Sequence, residues 1–170
     1  DLSPDRERFI AHCKWLLSQN CGLTPFGTTS EANSMSVEER STLLDALIAA
    51  GVDPSHACIG RAVAWLGRIQ NEDGGWGEDP RSYDDAQWIG RGDSTASQTA
   101  WALLALHAAG ERGDAMQRAI QWLVDTQRSD GSWDEPQYTG TGFPSDYYIN
   151  YHLYRLAFPI MALGRCLSQG

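Results

Sequence analysis

Four aromatic residues near the C-terminal end have the type and spacing best suited to chemistry in this 170-residue sequence: Phe143, Tyr147, Tyr151 and Tyr154. The three tyrosines fall at positions i, i+4 and i+7, so in a helix their rings would share one face, with Phe143 at its start. The π face of an aromatic ring attracts a cation by about 0.5–2 kcal/mol in a dry site and offers no nucleophile. These four residues, called the aromatic wall below, therefore have the chemistry to stabilise a cation. The alternative is that the same rings are ordinary core packing.

The elements that must position this wall include a sixteen-residue motif that occurs twice, at 61–76 and 118–133. Each copy has the apolar spacing of one buried helix face and ends in Asp-Gly, where glycine stops a helix. The Trp that follows is predicted to fold back over the last helical turn. The preceding Gln is predicted to bond free carbonyls or the amides of a neighbouring helix. We call these segments the first clasp (Gln70 to Trp76) and the second clasp (Gln127 to Trp133).

Repetition of the motif at a constant spacing of 57 residues is typical of a repeat protein. Leu47, Leu106 and Leu163 recur at nearly the same spacing, so the second helix of each pair repeats as well. The sequence therefore predicts a single all-α domain of three helix pairs, at about 5–51, 53–110 and 114–167.

Capping signals predict where individual helices begin. Ser36 and Glu39 form a capping box before a helix that runs to Gly51. The pair Asp53-Pro54 is predicted to begin the next helix. Thr95 and Gln98 precede a helix at 96–109 that is apolar nearly all round and must therefore be buried. The remaining predicted elements are a first helix at 5–19, an ordered loop at 77–93 and a helix capped by Asp114 and Gln117.

The composition argues against several classes of function. A net charge of −9 and an isoelectric point near 4.7 disfavour nucleic acid or an anionic membrane surface as a partner. The sequence shows neither an N-terminal apolar segment nor an apolar run of about 18 residues, so no secretory signal and no membrane-spanning helix are predicted. The four cysteines show no paired spacing, which indicates reduced thiols and a cytoplasmic protein.

Several potential metal ligands raise the alternative of a zinc site: His12, Cys13, Cys21, His56 and Cys58. Neither a Cys-x-x-Cys pair nor a helical histidine pair is present among them. We therefore predict that the protein has no metal site.

Two further segments give a specific resemblance. Residues 138–144 read Tyr-Thr-Gly-Thr-Gly-Phe-Pro, and residues 158–165 read Phe-Pro-Ile-Met-Ala-Leu-Gly-Arg. Together with the two clasps, they resemble the C-terminal part of a squalene–hopene cyclase, a bacterial triterpene cyclase. The resemblance extends from about residue 53 to residue 166.

This resemblance implies a catalytic α/α barrel of six helix pairs, of which the chain would supply half. It implies that squalene folds in a buried cavity and is cyclised after an Asp of an Asp-x-Asp-Asp motif protonates a terminal double bond, without metal or organic cofactor. Phe143, Tyr147, Tyr151 and Tyr154 would line that cavity, although the family usually has Phe at the position of Tyr147. The complete enzyme would be a cytoplasmic protein, peripheral to the inner membrane.

The sequence departs from the family pattern in two places. It contains no Asp-x-Asp-Asp, and the nearest stretch, 82–85, lacks the first Asp. The polar segment from Leu23 to Asp45 replaces an aromatic segment that normally faces the cavity. We therefore expect the isolated chain to be inactive. Its expected partners are squalene or a related isoprenoid, together with the remaining half of the barrel or a second copy of the chain.

Two other functions stay open at this point. The chain could be a non-catalytic repeat module that dimerises and binds an isoprenoid lipid without converting it. It could also be a prenyltransferase-type α/α barrel with catalytic zinc. The sequence does not assign the cyclised product.

Overall fold

The computed structural model describes Arg8 and residues 35–143 and 146–168. The predicted helix at 5–19, Cys13, Cys21 and most of the polar segment before Ser36 lie outside these residues. The prediction of an all-α fold is confirmed, with one short β-hairpin that the sequence did not indicate. The elements are α1 (Val37–Ala49), α2 (Ala57–Ile69), α3 (Ala96–Ala108), α4 (Asp114–Thr126), β1 (Gly140–Phe143), β2 (Tyr147–Ile149) and α5 (Tyr154–Leu167).

Helix α3 is the centre of the described fold. Every residue from Ala96 to Leu106 is buried, as the all-round apolar pattern predicts. It packs between α1 and α5 and also contacts α4, while α2 packs against α1. Helices α1, α3 and α5 thus form a central layer, and α2 and α4 each bury one amphipathic face.

Two of the predicted helix starts are confirmed. Ser36 Oγ accepts a hydrogen bond from Glu39 N at 3.1 Å, and the Glu39 carboxylate accepts one from Ser36 N at 2.9 Å. Thr95 caps α3 through the backbone N–H of Gln98. These reciprocal bonds satisfy donors that a helix cannot satisfy in its own first turn.

The predicted starts of α2 and α4 are wrong. The Asp53 carboxylate accepts a hydrogen bond from Ser55 N at 2.8 Å and so closes a local turn, and His56 becomes the N-cap of α2. Gly113 is the N-cap of α4 and makes no side-chain cap. Asp114 lies within the helix and pairs with Arg118 one turn later, at 3.1 Å. In both cases the aspartate side chain has another local partner and does not cap the helix.

The predicted ordered loop at 77–93 contains two 3₁₀ turns, Pro80–Tyr83 and Ala86–Trp88. Each turn is capped by an aspartate, Asp79 or Asp85. The Arg81 guanidinium lies 3.3 Å from the centre of the Trp88 ring, which joins the two turns.

Within residues 35–143 and 146–168, no helix is both long and apolar enough to cross a membrane. The same residues contain no group of three or more His, Cys, Asp or Glu side chains arranged to hold a metal ion. Cys58 is buried and Cys166 is half-buried, and both are free thiols.

Candidate functional site

The aromatic wall is built on the β-hairpin and not on one helix. Tyr147 lies in β2, Tyr151 follows β2, and only Tyr154 belongs to α5, as its first residue. The predicted single helical face for the three tyrosines is therefore wrong. Strands β1 and β2 pair antiparallel, with Phe143 opposite Tyr147. This pairing uses backbone groups that a helix through Tyr147 would need for its own hydrogen bonds.

Two glycines in β1 let the tyrosine rings lie against the backbone. A Cβ atom on Gly140 would be 2.8 Å from Tyr151 Cε2, and one on Gly142 would be 2.8 Å from Tyr147 Cδ1. A β-bulge between Thr141 and Phe143 interrupts the strand pairing at Gly142. Close approach of the rings is thus the physical reason for two glycines in the Thr-Gly-Thr-Gly stretch.

The wall continues into the core through a row of ring contacts. Tyr151 stacks on Tyr154 with ring centres 4.5 Å apart and an interplanar angle of 18°. Tyr154 meets Trp101 of α3 and Phe158 of α5 edge-on, at 5.6 and 5.1 Å. Trp101 and Phe158 also contact each other edge-on at 5.4 Å. Such edge-to-face geometry is the preferred arrangement of aromatic pairs and fixes the orientation of Tyr154.

The outer part of the wall is open to solvent. Phe143, Tyr147 and Tyr151 are 70%, 58% and 40% exposed, which is unusual for aromatic side chains of this size. These rings form an exposed aromatic patch beside the packed aromatic row. Sequence reasoning missed Trp101 and Phe158 as its backing. The available signal was Phe158 four residues after Tyr154, whereas Trp101 is hidden in the uniformly apolar pattern of α3.

Two polar side chains attach the hairpin to the second clasp. Asn150 Nδ2 donates hydrogen bonds to the carbonyls of Glu135 and Gln137, each at 2.8 Å. Arg155 Nη1 donates to Trp133 O at 2.7 Å. The position of the wall is therefore set by the end of the second clasp.

Replacing Gly140 by alanine is expected to lower the free energy of unfolding by about 1–3 kcal/mol, because the new methyl group would overlap the Tyr151 ring. Urea denaturation of the two proteins measures the difference. Gly67→Ala is the matched control: a Cβ at Gly67 in α2 meets nothing within 4 Å. That change should raise stability by about 0.5–1 kcal/mol, since alanine is the better helix former. Equal stability of wild type and Gly140→Ala would contradict the packing of Tyr151 on β1.

Both clasp tryptophans are buried over the helices that precede them. Trp76 Nε1 donates to Leu66 O at 2.9 Å, and Trp133 Nε1 donates to Leu123 O at 2.8 Å. The two rings have exposures of 0% and 1%. Each ring thus covers the last turns of α2 or α4 and satisfies its own N–H there.

The two clasp glutamines differ in their partners. Gln70 Nε2 donates to Gly74 O in its own loop and to Ala115 O in the first turn of α4, both at 2.8 Å. Arg118 donates to Gln70 Oε1. The first clasp therefore joins the end of α2 to the start of α4, through a carbonyl and an arginine rather than through free helix amides. Gln127 Nε2 donates to Gly131 O of its own loop at 3.0 Å.

Two buried glutamates, Glu78 and Glu135, were missed although they extend the repeat at the same spacing of 57 residues. Glu78 Oε2 accepts a hydrogen bond from Val37 N, the first residue of α1, at 3.0 Å. Glu135 Oε2 accepts one from Ser97 N in the first turn of α3 at 2.8 Å. Each carboxylate thus caps the preceding helix of the central layer, where negative charge is favourable. Burial raises the pKa of both carboxyls, against the effect of these hydrogen bonds.

Stability is expected to fall with rising pH because of Glu135. Its pKa in the folded protein is raised above the ordinary value of 4.5, so folding favours the protonated form. The stabilisation is complete below pH 4.5 and is lost as pH rises through the folded pKa. Glu135→Gln should flatten this fall in urea denaturation measured at a series of pH values. The expectation is wrong if the two profiles have the same slope above pH 4.5.

Asp130→Asn is the control, because the stability contributed by Asp130 changes with pH in the opposite direction. Bonds from Ser132 lower the pKa of Asp130 below 3.8, so its stabilisation is present above that pH and lost as pH falls. The variant should therefore change the acid side of the profile and leave the fall above pH 4.5 in place.

The described residues form an all-α domain with two clasped amphipathic helices and one short β-hairpin. Residues 37–168 match the family model of the squalene-hopene cyclase C-terminal domain. The chain belongs to this family. The alternative of a zinc prenyltransferase barrel is set aside by this assignment.

Curated relatives agree with the family. The chain is 60% identical over 90 residues to a squalene–hopene cyclase of Alicyclobacillus acidocaldarius, an alignment covering 52% of the chain and 14% of that protein. It is 51% identical over 127 residues to a squalene–hopene cyclase of Bradyrhizobium diazoefficiens, covering 73% and 19%. It is also 45% identical over 122 residues to a dammaradiene synthase of the fern Dryopteris crassirhizoma, covering 63% and 18%. The chain thus spans less than one fifth of the length of each of these three relatives.

Proposed function

We propose that this chain forms part of the cavity wall of a triterpene cyclase in which squalene, or a related isoprenoid, is cyclised through carbocations. The observation that carries the proposal is the stack of Tyr151 on Tyr154, backed by Trp101 and Phe158 and open on its other side. A packed row of rings facing an open surface suits a hydrocarbon that acquires positive charge.

The rings of the aromatic wall stabilise such a charge without reacting with it. Each π face attracts the nearest carbocation by about 0.5–2 kcal/mol once water is displaced. Burial, with contributions from Glu38 and Tyr151, raises the pKa of Tyr154 above its ordinary value of 10.0. Its phenol therefore stays neutral near pH 7 and presents a ring rather than a phenolate nucleophile. The ring contacts behind Tyr154 hold that face in position.

The initiating proton is proposed to come from a part of the enzyme outside these 170 residues. Cyclisation begins when a carboxylic acid protonates a terminal double bond: the π electrons form the new C–H bond and leave a tertiary carbocation. The family motif for that acid, Asp-x-Asp-Asp, does not occur in the sequence. Its nearest approach, 82–85, overlaps the end of the 3₁₀ turn Pro80–Tyr83 in the loop after the first clasp.

The purified chain is therefore expected to leave squalene unchanged. Incubation in detergent, followed by gas chromatography with mass detection, measures any cyclised product. The Alicyclobacillus squalene–hopene cyclase under the same conditions shows that the assay works. Hopene, or any other cyclised product, made by the 170-residue chain would contradict the proposed division of roles.

We further propose that the second clasp binds the first turn of another helix, from the remaining half of an α/α barrel. The first clasp supplies the precedent, because the Gln70 side chain bonds to Ala115 and Arg118 of α4. Among the described residues, the side-chain amide of Gln127 bonds only within its own loop. Its side-chain oxygen and one of its two amide hydrogens therefore remain available for a partner.

A second copy of the chain is the alternative partner for the second clasp. In that case the protein would be a dimeric, non-catalytic isoprenoid-binding module. A monomer in analytical ultracentrifugation, with no thermal stabilisation by a squalene analogue, would exclude this alternative.

We propose a cytoplasmic location for the chain, with the complete enzyme peripheral to the inner membrane. The free thiols of Cys58 and Cys166 support a reducing compartment. A lipid-soluble substrate such as squalene supports association with a membrane surface.

A further inference from the structure

A small cavity separates the start of the hairpin from the loop after the first clasp. The volume of this cavity is about 10 Å³. That space is about what one water molecule needs. Its lining includes Glu78, Ser82 and Tyr83 from the loop and Tyr138 and Thr139 from the chain leading into β1.

Thr139 has an unsatisfied hydroxyl at this cavity. The residue is 6% exposed, and its Oγ1 has no hydrogen-bond partner within the described part of the chain. A buried hydroxyl without a partner is costly, so native proteins usually satisfy it with protein or ordered water.

Glu78 faces the same cavity with capacity for a further hydrogen bond. The residue is 7% exposed, and its Oε2 accepts from Val37 N at 3.0 Å and from Gly90 N at 2.6 Å. The Ser82 side chain also interacts with the carboxylate. A carboxylate has about four acceptor positions on its two oxygens, so one remains for a donor in the cavity.

We propose that this cavity is the binding site of a single water molecule that joins the Glu78 carboxylate to Thr139 Oγ1. The water donates one hydrogen bond to the Glu78 carboxylate and forms a second hydrogen bond with Thr139 Oγ1. The Ser82 side chain lies at the same cavity and is the third partner. Two to four polar partners are the usual number for a buried water. The bound water links the loop that caps α1 to the residue directly before β1. It thereby helps to position the aromatic wall, whether or not the wall serves cyclisation.

A matched pair of variants tests the site by thermal unfolding. Thr139→Val keeps the shape of the side chain and removes only the hydroxyl. Ser41 is the control, because it is 1% exposed and its Oγ also lacks a partner among the described residues. It lies at a different cavity of about 130 Å³, lined by the polar side chains of Thr42, Asp45 and Arg165 as well as by apolar ones such as Trp101 and Phe158.

With water bound, Thr139→Val removes a hydrogen bond and should lower Tm by about 2–4 °C. Ser41→Ala should not lower Tm, because no water that bridges two segments of the chain is proposed at Ser41. An unchanged or raised Tm for Thr139→Val would overturn the proposal.

A crystal structure of the wild-type chain provides the second test. Electron density within hydrogen-bond distance of both Glu78 and Thr139 Oγ1 supports the site, and an empty cavity overturns it.

Discussion

Replacing Trp76 by alanine is expected to lower the free energy of unfolding by about 3–5 kcal/mol, the usual cost of removing a fully buried tryptophan. The ring has no exposed surface, and its N–H bond to Leu66 O would be lost with it. The loss would leave a cavity between α2 and the start of α3, because the Trp76 backbone also bonds to Thr95 and Thr99. For a domain whose total stability is about 5–15 kcal/mol, this change brings the protein close to unfolding.

Urea denaturation followed by far-ultraviolet circular dichroism measures the effect. Trp88→Ala is the matched control, since Trp88 is only half-buried and stacks with Arg81 on the surface loop. It should cost less than about 1 kcal/mol. A loss at Trp76 no larger than the loss at Trp88 would show that the clasp is not a main source of stability.

The helices were largely predictable because their signals are local. The apolar pattern of α3 has no polar face, so burial on all sides follows from the sequence alone. The capping box at Ser36 is equally local, since its donors and acceptors lie within four residues. Asp53 and Asp114 show the limit of such signals. An aspartate near a helix start also bonds to Ser55 or pairs with Arg118, and only the folded geometry decides between these partners.

The hairpin was not predictable from the tyrosine spacing. Positions 147, 151 and 154 fit one helix face, but a spacing of three and four residues carries no information about competing partners. The deciding contacts come from elsewhere in the chain. β1 pairs with β2, and Tyr147 and Tyr151 pack over two glycines of β1. Asn150 donates hydrogen bonds to the carbonyls of Glu135 and Gln137, just after the second clasp.

The glutamate caps illustrate a signal that was present but not used. Glu78 and Glu135 follow their clasp tryptophans by two residues in both copies, so the repeat is longer than the sixteen residues first recognised. Their role depends on the first turns of helices about 40 residues earlier, at Val37 in α1 and Ser97 in α3. Sequence repetition therefore identifies the residues, whereas the function of each carboxylate requires the fold.

The central claim is that the aromatic wall stabilises positive charge on an isoprenoid, and the expected effect is a preference for a cationic ligand. The suitable pair is farnesyl-trimethylammonium and the neutral hydrocarbon in which carbon replaces nitrogen. They have the same shape and nearly the same apolar area, so their affinities differ mainly through the charge. With ring contributions of about 0.5–2 kcal/mol each, the ammonium should bind at least about tenfold more tightly.

Replacing the three exposed aromatic residues by leucine measures how much their rings contribute to the preference for the ammonium ligand. Phe143→Leu, Tyr147→Leu and Tyr151→Leu, combined in one variant, leave the net charge of −9 unchanged and retain the half-buried Tyr154. Any attraction of the ammonium to the acidic protein as a whole therefore persists in the variant. Tyr138→Leu is the control, because Tyr138 is 52% exposed and does not belong to the wall.

The most direct measurement is the ratio of Kd values for the two ligands, determined by isothermal titration calorimetry in detergent below its micelle concentration. Our account predicts a ratio of about ten or more for the wild-type chain and for Tyr138→Leu, falling to near one in the triple-leucine variant. Equal affinity of the wild-type chain for the ammonium and the hydrocarbon, or a preference that survives the loss of the three rings, would contradict it.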